Sequence, residues 1–298
     1  MQAYVLTQYG PAKDSLTLST VPKPTATKNH VLIKANLLAG TALSGTVEEV
    51  GPDCTLFKVG DQVMTEPGLS ILGAFSEYVS VPEDMVCEKP VKLSLEEAAA
   101  IPVSGTTAYQ AIHKFAKLQA GQSILINGAS GGVGTAAVQI AKAVGADVTT
   151  VTSGKNMPLM KQLGADFTID YKTQDFTQMD KMYDCVLDIV GTASISACCK
   201  VIKPDGIYVS AGSLGSGMLI GNIADVLGCK MNPFKSRRVE LAMNTPSRDA
   251  LREVKELVDA GKLKMVIEKR FDFNHVKDAM EVLEAGHVAG KIIVRVSS

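Results

Sequence analysis

The sequence predicts an α/β fold, a doubly wound parallel sheet inserted into a β-rich domain, and three observations predict it. Residues 1–90 read as short strands broken by proline and glycine turns. Beyond Ser94, strand-like and helix-like segments alternate, the pattern of a parallel sheet with helical crossovers. Within that stretch lies Ser123 to Ala146, SILINGASGGVGTAAVQIAKAVGA, where a short apolar run breaks into a glycine-rich turn and then into helix formers.

In the first part the strand candidates are Ala3 to Leu6, Val31 to Ala35, Gly45 to Val50, Asp61 to Met64 and Phe75 to Val81. Pro22, Pro24, Gly51-Pro52, Pro67-Gly68 and Pro82 punctuate them, and a small barrel accommodates them. Ser94 with Glu97 three residues on reads as a helix cap, and the domain boundary falls near it. Ile124, Leu125 and Ile126 are too few for a buried helix and suit an interior parallel strand. Ala136, Ala137, Ile140, Ala141 and Val144 then repeat at helical spacing.

Further strands are expected at Asp147 to Thr152, Phe167 to Ile169, Cys185 to Asp188, Gly206 to Ala211 and Val239 to Met243. Helical stretches such as Asn156 to Gly164 and Thr192 to Ile202 separate them. The last part holds an amphipathic helix at Ser247 to Ala260, a strand at Met265 to Lys269, a helix at His275 to Ala285 and a closing strand at Lys291 to Val296.

The glycines carry the chemistry. Gly128, Gly131 and Gly134 let the backbone turn sharply, approach a diphosphate and pack the helix on the strand, while the helix N-terminus offers free N–H groups and a positive dipole end. Strand, turn and helix in that order are the context for dinucleotide binding. Sheets that bind NAD usually place an acidic residue at the end of the second strand. Here that strand reads DVTTVTSGKN and ends without a carboxylate; the Ser153 hydroxyl and Lys155 ammonium suit a 2′-phosphate, so NADPH is expected. The competing reading makes Lys155 the first residue of a solvated helix.

Thirty basic and thirty-one acidic residues give a formal charge of -1, which points to neither nucleic acid nor an anionic membrane. The cluster Lys235, Arg237, Arg238 is short and reads as a solvated turn. Cys54, Cys87, Cys185, Cys198, Cys199 and Cys229 follow no framework spacing and suit a reducing cytoplasm. The opening MQAYVLTQYG has no leader-like pattern, and no apolar run reaches membrane-spanning length. The expectation is a cytoplasmic protein without a membrane segment.

Two enzyme classes fit poorly. Gly128, Gly132 and Gly134 also satisfy the GxxxGxG spacing of short-chain dehydrogenases, but the Tyr-x-x-x-Lys pair of that class occurs only at Tyr9 and Lys13, far N-terminal to the turn. His30, His113, His275 and His287 are isolated in sequence from one another and from the cysteines, so no zinc is expected.

Taken together, SGTVEEVG (Ser44 to Gly51), VGDQV (Val59 to Val63), GAFSEYVSVP (Gly73 to Pro82), GTTAYQAI (Gly105 to Ile112), NGASGGVG (Asn127 to Gly134), LGADFTIDY (Leu163 to Tyr171) and AGKIIV (Ala289 to Val294) are specific. On these stretches the chain resembles the medium-chain dehydrogenase/reductase superfamily, in particular its zinc-free quinone oxidoreductase branch. The resemblance implies a GroES-like domain over residues 1–97 and 245–298, with a Rossmann nucleotide domain over 98–244. It implies that Thr107 lies near the cofactor, that Gly128, Ser130, Gly131, Gly132, Val133 and Gly134 form the phosphate turn, and that Ser153, Lys155 and Tyr171 surround the 2′-phosphate. Gly191 would lie over the nucleotide, Ala211 and Gly212 near the nicotinamide, and Gly290 with Lys291 at the cofactor's rim. For Tyr171, a boundary aromatic packing on the sheet is an equal reading. A homodimer is a family expectation. One departure stands out: only Asn36 to Leu43, NLLAGTAL, joins the VLIKA and SGTVEEVG strands, roughly two dozen residues fewer than the family's usual length. Ala42 stands where an acidic residue is common.

The leading expectation is hydride transfer from NADPH to a quinone or an α,β-unsaturated carbonyl, with backbone amides, hydroxyls or water stabilising the developing enolate. Spacing selects no proton donor among Tyr4, Tyr9 and Tyr78, so the catalytic residue is open. An NADPH-binding regulatory or partner-binding protein with little turnover is the alternative, motivated by the shortened segment. Metal-dependent alcohol dehydrogenation is a third.

Overall fold

The computed structural model describes residues 1–39, 41–67, 75–211 and 237–296. In chain order the first elements are β1 (Gln2–Leu6), α1 (Ala12–Ser15), β2 (Leu16–Thr20), β3 (His30–Ala39), β4 (Ala42–Val50), β5 (Gln62–Thr65), β6 (Tyr78–Pro82), β7 (Val86–Glu88), α2 (Leu95–Ala99) and α3 (Ser104–Tyr109). The middle of the chain gives β8 (Ser123–Asn127), α4 (Gly132–Val144), β9 (Asp147–Thr152), α5 (Met157–Gln162), β10 (Phe167–Asp170), β11 (Tyr183–Asp188), α6 (Ile195–Cys198), β12 (Ile202–Ser210) and β13 (Arg238–Leu241). α7 (Arg248–Asp259), β14 (Ile267–Asp272), α8 (Val276–Glu284) and β15 (Lys291–Arg295) follow.

The chain divides into two compact units: Met1–Thr106 with Thr245–Gly261 and Met265–Ser298, and Thr107–Asn244 with Lys262–Lys264. The sequence reading ends the first segment at residue 97. In the structure α2 packs on β3, β4 and β5, which keeps the chain up to Thr106 with the first unit. Ser94 caps α2 through a reciprocal pair, its hydroxyl accepting from the Glu97 amide and its own amide donating to the Glu97 carboxylate.

The first unit is a sheet in the order β14-β15-β3-β4-β5-β7, with β6 also on β3, beside the two-stranded pair β1-β2. Its core is mostly aliphatic, with Val31, Ile33, Leu43, Val63, Val81 and Val294 buried together with Phe57 and Phe273. β3 and β4 pair up to Ala39 opposite Ala42, with register shifts between Leu32 and Ile33 and between Ala35 and Leu37. Most of the short NLLAGTAL connection is therefore itself strand, lengthening the strands expected at Val31 to Ala35 and Gly45 to Val50. β2 and β7 were not legible as separate strands, being three to five residues long and set by their partners β1 and β5.

The second unit holds a parallel sheet in the order β10-β9-β8-β11-β12-β13. Ile124, Leu125 and Ile126 of β8 are fully buried, as an interior strand requires. The chain steps from β8 outward to β9 and β10, then returns to β11 on the other flank of β8. This makes the carboxyl end of β8 the switch point where such sheets take their ligands. The helix expected over Thr192 to Ile202 is only α6 and a 3-10 turn, Cys199–Val201: Ser194 caps α6 from Ala197, and Ile202 already pairs with Tyr183 in the sheet. Among the described residues no helix is long and apolar enough to cross a membrane.

Candidate nucleotide site

The glycine turn lies at the carboxyl end of β8. Gly131 is the N-cap of α4 and offers no side-chain cap, so the amides of Gly132, Val133 and Gly134 open the helix with no carbonyl a turn before them. Gly128 has φ +84°, and a side chain there would put a Cβ 2.7 Å from Val190 Cγ1. At Gly134 a Cβ would stand 2.4 Å from the Gly128 carbonyl oxygen, so the helix approaches its own turn only because that Cβ is missing. Both the cradle and its donors suit a phosphate.

β9 ends beside β10, with Thr152 paired to Asp170 and the Tyr171 amide donating to the Thr152 carbonyl at 3.1 Å. Ser153 is buried and begins a 3-10 turn, Gly154–Asn156, without a side-chain cap bond. Lys155 is exposed on that turn, and Tyr171 is exposed at the start of the next loop. The three residues read from sequence as a group thus sit at the ends of two adjacent strands. The hydroxyl oxygen of Thr152, buried there, has no hydrogen-bond partner among the described residues. Sequence reading missed one neighbour: a Cβ on Gly154 would fall 2.6 Å from Asp170 Oδ2, so β10 supplies a carboxylate that β9 itself lacks.

On the other flank, Gly191 follows β11 with φ +63°, and Ala211 follows β12, its amide donating to the Asp188 carbonyl at 2.8 Å. Asp188, 1% exposed, accepts from Asn127 Nδ2 at 3.0 Å, Val190 N at 3.2 Å and Gly191 N at 2.8 Å on Oδ1, and from Tyr208 Oη at 2.9 Å on Oδ2. Burial and the Asp188 charge push the Tyr208 phenol far above its ordinary pKa, which keeps it a donor. Asp188 was legible only as the last residue of an apolar strand; an acid closing such a run was the available signal.

Thr107, in α3, is buried and opens the second unit. Gly212 lies outside the described residues. Gly290 and Lys291 belong to the first unit, where the Lys291 amide donates to the Val266 carbonyl at 2.8 Å. Burial pushes the Lys291 ammonium down to about 8, with the Glu66 charge opposing.

Residues 20–91 match the family model described as alcohol dehydrogenase GroES-like domain, and residues 163–294 the one described as zinc-binding dehydrogenase. The chain is 34% identical over 294 residues to NAD(P)H oxidoreductase RTN4IP1, mitochondrial, of Homo sapiens, spanning 90% of this chain and 73% of that protein. It is 32% identical to 2-methylene-furan-3-one reductase of Solanum lycopersicum, over 99% of this chain and 79% of that one. The quinone oxidoreductase of Coxiella burnetii superposes with a TM-score of 0.88 at 30% identity, covering 100% of this chain and 99% of that one. No group of three or more His, Cys, Asp and Glu among the described residues could hold a metal ion, so the zinc of the second description finds no fitting donor set in them. The chain belongs to the medium-chain dehydrogenase/reductase superfamily, in its quinone-oxidoreductase-like branch.

Proposed function

We propose that this protein is an NADPH-dependent oxidoreductase that transfers hydride to a quinone or an α,β-unsaturated carbonyl without zinc. The observation that carries the reading is the glycine turn at the switch point of the parallel sheet, with uncapped amides at the start of α4. Support for the acceptor class comes from relatives named as a quinone oxidoreductase and a furanone reductase.

Bound NADPH supplies the hydride. Ser130, Gly131, Gly132, Val133 and Gly134 hold the diphosphate, and Gly128 gives the turn its shape. Ser153, Lys155 and Tyr171 hold the 2′-phosphate, the ammonium by charge and the serine and tyrosine by hydroxyl hydrogen bonds. Gly191 and Ala211 border the nicotinamide half, because β11 and β12 lie on the flank of β8 opposite β9. For Thr107, Gly212, Gly290 and Lys291 the assignment to the cofactor rests on the resemblance alone. The homodimer is part of the same reading. Cys54, Cys87, Cys185 and Cys198 are free thiols, which fits a reducing compartment such as the cytoplasm.

NADH is the second reading, and Asp170 favours it: a carboxylate beside Gly154 suits a ribose hydroxyl better than a phosphate. The test follows the oxidation of NADPH and of NADH by the purified chain against a panel of quinones and enones, with and without a chelator. Chelator-resistant turnover with NADPH ahead of NADH is the expected result. Nucleotide binding with no acceptor reduced would replace the enzyme by a nucleotide-responsive binding protein.

A further inference from the structure

The loop after β11 is tied down by one side chain. Asp188, Asn127 and Tyr208 are 1%, 3% and 1% exposed, on the neighbouring strands β11, β8 and β12. Four donors converge on the Asp188 carboxylate, and none of the four is charged. Two are the successive amides of Val190 and Gly191, so the carboxylate folds the loop back over its own strand end. Asn127 also donates to Thr192 Oγ1 at 3.2 Å, and its carbonyl accepts from the Ile189 amide at 3.1 Å, which fixes the loop to β8 as well. The result is visible at Gly128: the loop brings Val190 so close that only a glycine fits beneath it.

A buried carboxylate with no cation paired to it among the described residues is an expensive way to hold a core together, since its desolvation must be offset by every bond it accepts. An apolar residue would serve packing alone. This carboxylate sits at the carboxyl end of the sheet, beside the switch point, on the flank opposite the β9 end that takes the adenosine ribose. We propose that Asp188 is a positioning residue for the nicotinamide half of the dinucleotide, holding the Val190–Gly191 loop in its binding-ready form through the Asn127 and Tyr208 network. The inference rests on the nucleotide reading above and goes beyond it by splitting the site in two.

That split supplies the test. Adenosine 2′,5′-diphosphate fills only the half over β8 and β9, whereas NADPH also reaches the half bordered by Gly191. Dissociation constants for both are measured by titration calorimetry on the wild type, Asp188→Ala and Asp188→Asn. Asp188→Ala leaves four donors without an acceptor and is expected to weaken NADPH about tenfold or more, with the diphosphate changed less than about twofold. Asp188→Asn keeps the shape and one acceptor oxygen but turns a donor toward the donors that remain, and it is expected to weaken NADPH selectively and by less than alanine does, about threefold. Equal weakening of both ligands, or NADPH binding unchanged in Asp188→Ala, would overturn the proposal by making the network structural or idle. If the alanine variant does not fold, the asparagine variant decides: a selective loss for NADPH supports positioning, and an equal or absent loss overturns it. A wild type that binds neither ligand brings down the nucleotide reading itself, a distinct outcome from a wild type that binds both.

Discussion

The carboxylate of Asp170 lies against Gly154, its Oδ2 2.6 Å from where a Cβ on that glycine would stand. Two strands therefore contribute opposite charges to one turn, Asp170 from β10 and Lys155 after β9. Replacing Asp170 by Asn is expected to raise the preference for NADPH over NADH about fivefold, the effect of removing roughly 1 kcal/mol of like-charge repulsion near the surface. Lys155→Ala should lower the same ratio. Affinities for the two nucleotides, measured side by side on each variant, check both; a ratio unmoved in either would remove these side chains from the choice of cofactor.

Gly134→Ala should cost both stability and nucleotide affinity. Its new methyl would meet the Gly128 carbonyl oxygen at 2.4 Å and the Ala129 backbone at 2.6 Å, so the turn must open. A loss of about 1–3 kcal/mol in denaturant unfolding is expected, together with loss of NADPH binding.

That glycine shows how much was legible. The alternation of apolar runs and helix formers placed β8, α4 and β9 closely, because buried parallel strands and amphipathic helices write their periods into the sequence. The glycine turn between β8 and α4 was legible as well, since its requirements are local. The placement of Asp170 against Gly154 and of Asp188 among donors from β8 and β12 was not legible, because sequence order does not say which strands are neighbours. Ser153 and Tyr171 follow the paired residues Thr152 and Asp170 at the ends of adjacent strands. The shortened Asn36 to Leu43 segment was readable as an omission, whereas the pairing of its two ends, Leu38 with Leu43 and Ala39 with Ala42, needed the structure.

In the first unit, Glu66 is buried and its Oε2 accepts from the Val103 amide at 3.0 Å and the Thr106 hydroxyl at 3.1 Å. Val103 is held there at φ +63°, an unfavourable conformation for a β-branched residue. Glu66→Ala releases both donors and the strained backbone, and chemical denaturation should show a loss of about 2 kcal/mol.

Lys291 gives a pH signature. Its folded pKa of about 8 lies below the usual 10.5, so between those values the unfolded chain holds a proton that the native chain has released. Its contribution therefore makes stability rise with pH across that interval, with the full penalty present below about 8. The stability of the wild type relative to Lys291→Met is expected to increase from pH 7 to pH 10. A difference that stays flat would show that the ammonium is not desolvated in the native state.

The most direct measurement is a fluorescence titration of NADPH with the wild-type chain, repeated with adenosine 2′,5′-diphosphate as competitor. Saturable binding that the diphosphate displaces is the predicted result, because both ligands need the α4 amides and the turn after β9. No binding, or binding that the diphosphate leaves untouched, would contradict the assignment of the Gly128 to Gly134 turn as the seat of the cofactor.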